Sequence, residues 1–108
     1  MTKEEVNGAP GWMFLSNHAH VLVCIATQPD MRMTDVAELV GIRERAVHRI
    51  VHDLVDAGYV SVRKQGRRNV YSVNLDMPLR HPLESRHRIR AIIEPLLDQP
   101  ARPRQGTA

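Results

Sequence analysis

Cysteine is all but missing from this sequence: Cys24 stands alone, so no disulfide can form within the chain and a disulfide-stapled secreted fold is excluded. Long apolar runs are missing too. The longest, residues 21–26, is far too short to span a bilayer and lacks the basic residues that precede the apolar part of a signal segment. A cytoplasmic protein without a membrane partner is the expectation. Catalytic motifs are absent as well: there is no Gly-x-Ser-x-Gly, no phosphate-cradling glycine loop and no zinc-protease histidine motif. A chain of 108 residues has room for one modest core. Neither enzymatic activity nor a cofactor is expected of it.

Charge of one sign is scarce overall, with 15 Lys and Arg against 12 Asp and Glu for a net +3. Its placement is more telling. Residues 43–68 hold Arg43, Arg45, Arg49, Arg63, Lys64, Arg67 and Arg68 against only Glu44, Asp53 and Asp56. One segment therefore carries the entire positive surplus, the footprint expected of a surface that meets a polyanion.

Apolar periodicity divides the chain. Residues 1–11 contain Asn7, Gly8, Pro10 and Gly11 and read as a flexible arm, and residues 98–108 read the same way. Between them residues 12–97 form the expected domain. Ser16 or Asn17 caps a first helix that Gln28 and Pro29 stop near Thr27. Residues 19–26 of that helix are apolar nearly all round apart from His20, which calls for burial on more than one side, the second being a partner subunit. Thr34 is expected to cap a short second helix over residues 35–40, and Gly41 to make the turn after it. A third helix over about residues 43–57 places Val47, Ile50, Val51 and Leu54 on one face and Arg45, His48, Arg49 and His52 on the other, with Gly58 as terminator. Alternation over residues 59–64 and 70–75, joined by a basic linker at 65–69, predicts a β-hairpin. A last helix puts Ile89, Ile92, Ile93 and Leu96 on one stripe and is expected to kink or end at Pro95.

Helix, glycine turn, basic helix and basic hairpin together make a winged helix-turn-helix: mainly α with a small β-hairpin wing, and helical dimerisation elements at both ends. The major groove of B-DNA admits one α-helix, and arginine at its entering end reaches base edges. Residues 33–47 (MTDVAELVGIRERAV), 54–60 (LVDAGYV) and 66–71 (GRRNVY) resemble the winged helix-turn-helix regulators of the MarR and ArsR type over about residues 12–97. The resemblance implies a homodimeric transcriptional regulator that binds double-stranded DNA at a pseudo-palindromic operator. By position it implies that Arg43, Glu44, Arg45, His48 and Arg49 line the major groove while Lys64, Arg67 and Arg68 hold the backbone, with Thr34 and Asn69 completing the DNA-binding set. The chain is shorter than a typical MarR protein, and it lacks the Cys-x-Cys pair of arsenic-sensing ArsR proteins.

Other readings stay open at this point. The basic face of the third helix is either a DNA contact or merely solvated, and Glu44 either accepts from a cytosine amino group or orients neighbouring arginines. His48 and His52 have the spacing of two zinc ligands without an obvious third, and His18, His20, His81, Glu84 and His87 would have to meet across a dimer to bind metal; no metal site is expected. Cys24 lies among apolar neighbours and reads as core. The cluster at residues 12–15 reads as a staple over the core or dimer interface. A winged-helix module that docks proteins without binding DNA, or a metal-responsive ArsR-like repressor, is the alternative function.

Overall fold

The computed structural model describes residues 11–97, so the two expected arms fall, Gly11 apart, outside the described residues. Helix α1 (Asn17–Thr27) begins where Ser16 turns extended and its hydroxyl accepts a hydrogen bond from the Ala19 amide at 3.4 Å. Val21, Leu22 and Ile25 form its buried stripe, and Val23, Cys24 and Ala26 are partly covered by the same core. Helix α2 (Met33–Val40) starts earlier than the Thr34 cap predicts. The turn closed by the Met31 amide on the Gln28 carbonyl delivers Arg32 in an extended conformation, and the Asp35 and Val36 amides bond to the Arg32 carbonyl. Thr34 thus sits inside the first turn, exposed, and caps nothing.

Gly41, at φ +86°, lets its own amide and that of Ile42 both donate to the Ala37 carbonyl, which ends α2 and turns the chain toward α3 (Glu44–Asp56). Val47, Ile50, Val51 and Leu54 are the buried face of α3, as the period requires. Its end is a Schellman motif: Gly58 is left-handed at φ +89°, its amide donates to Val55, and the Tyr59 amide donates to Leu54.

Strands β1 (Val60–Gln65) and β2 (Arg68–Val73) pair antiparallel, from Val60 opposite Val73 to Gln65 opposite Arg68. The hairpin turn is therefore two residues, Gly66 and Arg67, rather than a five-residue linker, and Gln65, Arg68 and Asn69 belong to the strands. The Tyr71 amide donates to the Pro29 carbonyl at 2.9 Å, so the loop between α1 and α2 lies along the free edge of β2.

The expected last helix is reduced to α4 (Arg90–Ile93), followed by a 3-10 turn over Glu94–Leu96 that takes in Pro95. Residues 77–89 spend their backbone groups otherwise: Leu79 donates to His87, Ile89 to Met77 and Arg90 to Leu75, closing a loop pinned back on itself. Arg90 pairs with Asp76 at 2.9 Å and with Glu94 at 3.0 Å, and Arg88 donates to the Asp76 carbonyl at 2.7 Å. Ile89 and Ile93 nevertheless reach the core, as the apolar stripe demands.

Val21, Ile25, Val36, Val47 and Ile93 are the most completely buried side chains, so one core is shared by α1, α2, α3 and α4. Tyr59, Val60 and Tyr71 extend it under the root of the hairpin. Burial of a Val, Leu or Ile side chain contributes about 1.5–3 kcal/mol, and no charged side chain is buried among the described residues. None of the described helices is long and apolar enough to cross a membrane.

Candidate nucleic-acid interface

Helix α3 advances about 100° per residue, so its exposed surface divides into three strips. Arg45, Arg49 and His52 lie at the centre of the arc opposite the buried Val47, Ile50, Val51 and Leu54, with Asp56 ending the same strip in the last turn, and all four are exposed. Glu44 and His48 occupy the flank toward the hairpin; Asp53 occupies the other flank, where its carboxylate meets the His18 imidazole of α1 at 3.0 Å. That hydrogen bond, helped by the charges of His18, Arg49 and His52, holds the Asp53 carboxyl below its ordinary pKa.

The cationic strip is uncovered by the protein itself. Among the described residues Arg43, Arg45, Lys64 and Arg67 form no ion pair, and Arg49 feels Asp53 only at a distance. An exposed guanidinium without an ion-pair partner is a ready donor, since it carries five N–H bonds in a fixed fork. Glu44 is not free in that sense: its carboxylate lies 3.2 Å from Nε2 of His48, one turn on. The partner of Glu44 within the protein is a histidine, held through one carboxylate oxygen.

Helix and hairpin share one concavity. Glu44 and His48 from α3, Arg32 just before α2 and Thr34 within it, and Arg67, Arg68 and Asn69 from the hairpin line it. Strand register sets which hairpin side chains look the same way: Lys64 and Asn69 stand on the side of Val62 and Tyr71, Gln65 and Arg68 on the side of Arg63 and Val70. Arg68 is committed locally, since Nη2 donates to the Asp30 carbonyl at 2.8 Å and lies 3.9 Å from its carboxylate.

Six of the ten candidate residues, Thr34, Glu44, His48, Arg67, Arg68 and Asn69, thus line this concavity, and all ten are exposed. Three of them are engaged within the protein, Glu44 and His48 with each other and Arg68 with Asp30. Arg32 joins the set from outside it, exposed at the start of α2 and paired with Asp35 at 3.4 Å. Its signal in the sequence was only a basic residue two positions before Thr34, and it becomes legible once α2 is known to start at Met33. His52 stands on the central strip beside the arginines. Among the described residues of the single chain no three His, Cys, Asp or Glu side chains come together, and Nδ1 of His81 accepts from the Leu83 amide.

A second, mainly apolar groove is walled by Phe14, Leu15, Leu22, Leu79, Ile89 and Ile92, with His18, Arg80 and Glu84 among its polar lining. Phe14 is 91% exposed and stacks edge-on against Trp12, 70% exposed, at 4.9 Å between ring centres, while Leu83 nearby in sequence to Leu79 is 86% exposed.

Comparison with known proteins bears on the same region. No curated protein matches the chain. Among solved structures it is similar to the zinc-dependent MarR family transcriptional regulator AdcR in its Zn(II)-bound state, at a TM-score of 0.45 and 16% identity over 60% of this chain. The likeness spans 47% of that protein's chain, about half its length. A family model described as the MarR family matches residues 14–68, from the segment before α1 through α3 and into the second strand of the hairpin. That stretch is just over half of the 108 residues and contains the whole cationic strip, and on this ground the chain belongs to the MarR family.

Proposed function

We propose that the protein is a sequence-specific, double-stranded DNA-binding transcriptional regulator that acts in the cytoplasm as a homodimer on a pseudo-palindromic operator. The observation that carries this reading is the uncovered strip of Arg45, Arg49 and His52 on α3, with the hairpin's Arg67 at the rim of the adjoining concavity. In the proposal α3 enters the major groove, where Arg45 and Arg49 address base edges, most readily O6 and N7 of guanine. Lys64, Arg67 and Asn69 lie along the sugar-phosphate backbone or minor groove, and Arg43 and Thr34 meet phosphates at the groove's edge. Glu44 and His48 act as a coupled pair on the flank of the helix.

The dimer reading draws its support from the apolar groove and from the exposure of Trp12, Phe14 and Leu83 beside or near it. Contiguous apolar surface of this kind is what an association site offers. Two recognition helices would then address half-sites about one helical turn apart.

Selection of bound duplexes from a random pool tests both parts together. The expected product is a two-fold symmetric motif with half-sites spaced by about 10 base pairs. Binding of about four phosphates per protomer gives a log–log salt slope near about −7 for the dimer. A pool that yields no enriched duplex, or a salt-independent affinity, refutes DNA binding; enrichment of a single asymmetric half-site refutes the dimer.

A further inference from the structure

A two-stranded hairpin is marginal in water unless something else holds it. Here the root is held: Tyr59, Val60 and Tyr71 are buried, and the Tyr71 amide is bonded to Pro29. Beyond Tyr71 the support ends, for residues 61–69 are all exposed and Val70 is only half-buried. Among the described residues one side-chain hydrogen bond ties this outer half to the body of the fold, the donation from Arg68 to the Asp30 carbonyl at 2.8 Å, reinforced by the Asp30 carboxylate at 3.9 Å. It lies directly beside the turn, since Arg68 pairs with Gln65 across Gly66 and Arg67.

We propose that Arg68 is a positioning residue, a brace that fixes the direction of the hairpin so that Arg67, which has no partner of its own, is presented to the DNA backbone. Its effect on DNA rests on the reading under Proposed function, whereas the brace itself is a property of the free protein. The assignment differs from what sequence position implies, because adjacent arginines at a hairpin tip look equivalent. Register separates them: Arg67 is in the turn, and Arg68 is the first residue of β2. A planar guanidinium suits this bridge, since it offers one N–H to a carbonyl while its charge faces the carboxylate of the same residue.

The test compares Arg68→Met, which keeps the length of the apolar stem, with Arg67→Met. In the free protein, Arg68→Met speeds hydrogen exchange at the Tyr71 amide about tenfold while Arg67→Met leaves it unchanged, as loss of a charge-assisted bond next to that ladder requires. On a duplex, Arg68→Met lowers affinity for all sequences about tenfold without changing the salt slope, whereas Arg67→Met makes the slope shallower by about 0.9 per protomer. A slope reduced equally by both substitutions means that Arg68 itself neutralises a phosphate, and unchanged Tyr71 exchange in Arg68→Met means that no brace exists; either result overturns the proposal. If the unaltered protein binds no duplex, the DNA-binding reading falls while the exchange measurement still decides the brace.

Discussion

Gly58 joins the helix that carries the cationic strip to the hairpin beside it, and replacing it with alanine isolates the contribution of one backbone angle. The residue sits at φ +89°, where an L side chain is strained. A Cβ added there would meet only the terminal methyl of Met77 at 3.5 Å, an ordinary contact, so no clash adds to the conformational cost. An L-residue in the left-handed region loses about 1–2 kcal/mol, and alanine recovers about 0.4–1 kcal/mol by restricting the unfolded chain, leaving a net loss of about 1 kcal/mol. For a domain of this size that lowers Tm by about 4–8 °C. Asparagine tolerates the same region better, so Gly58→Asn should fall between the two. Thermal melts followed by circular dichroism supply the measurement. A Gly58→Ala protein as stable as the parent, or an asparagine variant worse than alanine, would refute the argument that the Schellman turn governs this junction.

The remaining expectations concern the interface, the core and pH. Arg45→Ala should cost about 1–3 kcal/mol of discrimination between operator and scrambled duplex, and Arg67→Ala should weaken both duplexes alike; competition binding separates the two, and equal discrimination by Arg45→Ala and the parent removes Arg45 from the readout. Ile93→Ala, at 1% exposure, should destabilise by about 2–5 kcal/mol in urea unfolding, and a loss below about 0.5 kcal/mol would mean that α4 does not seal the core. Asp53, whose pKa is depressed mainly by the His18 hydrogen bond, contributes stability that is present above the unfolded carboxyl value of about 4 and is lost as pH falls through the lower folded value. Asp53→Asn should therefore flatten the acid limb of the stability profile below that pH and leave its shape at neutral pH unchanged; a parallel offset at every pH would deny the linkage.

Local chemistry made much of the fold legible. The Ser16 cap, the buried quartet of α3 and the left-handed Gly58 follow from neighbours within one or two turns, and all three stand as the sequence reads. Misplacements arise where distant backbone decides. The apolar stripe over Ile89, Ile92 and Ile93 is real, but the carbonyls and amides of Met77, Leu79 and His87 compete for the backbone that a longer helix would use. Thr34 has the right side chain for a cap, yet the preceding turn at Gln28 hands the start of α2 to Arg32. The interface was legible as a set of basic positions on one helix and one hairpin, and its internal commitments were not. Arg68 and Asp30 are 38 residues apart, and His18 and Asp53 are 35 apart, separations at which sequence periodicity carries no information about pairing.

The two-residue turn of the hairpin has a mechanical consequence. Each strand is six residues long, so Arg67 stands about 20 Å out from the buried root. Because the Leu54 carbonyl holds the Tyr59 amide and the Tyr59 carbonyl holds the Asn74 amide, helix and arm share one pivot. Without the Arg68 contact to Asp30, a rocking of about 10° there would sweep the fingertip by about 3.5 Å, roughly one rung of the duplex ladder. A tie near the end of an arm works with the greatest leverage, and the bond from Arg68 to Asp30 sits at that end.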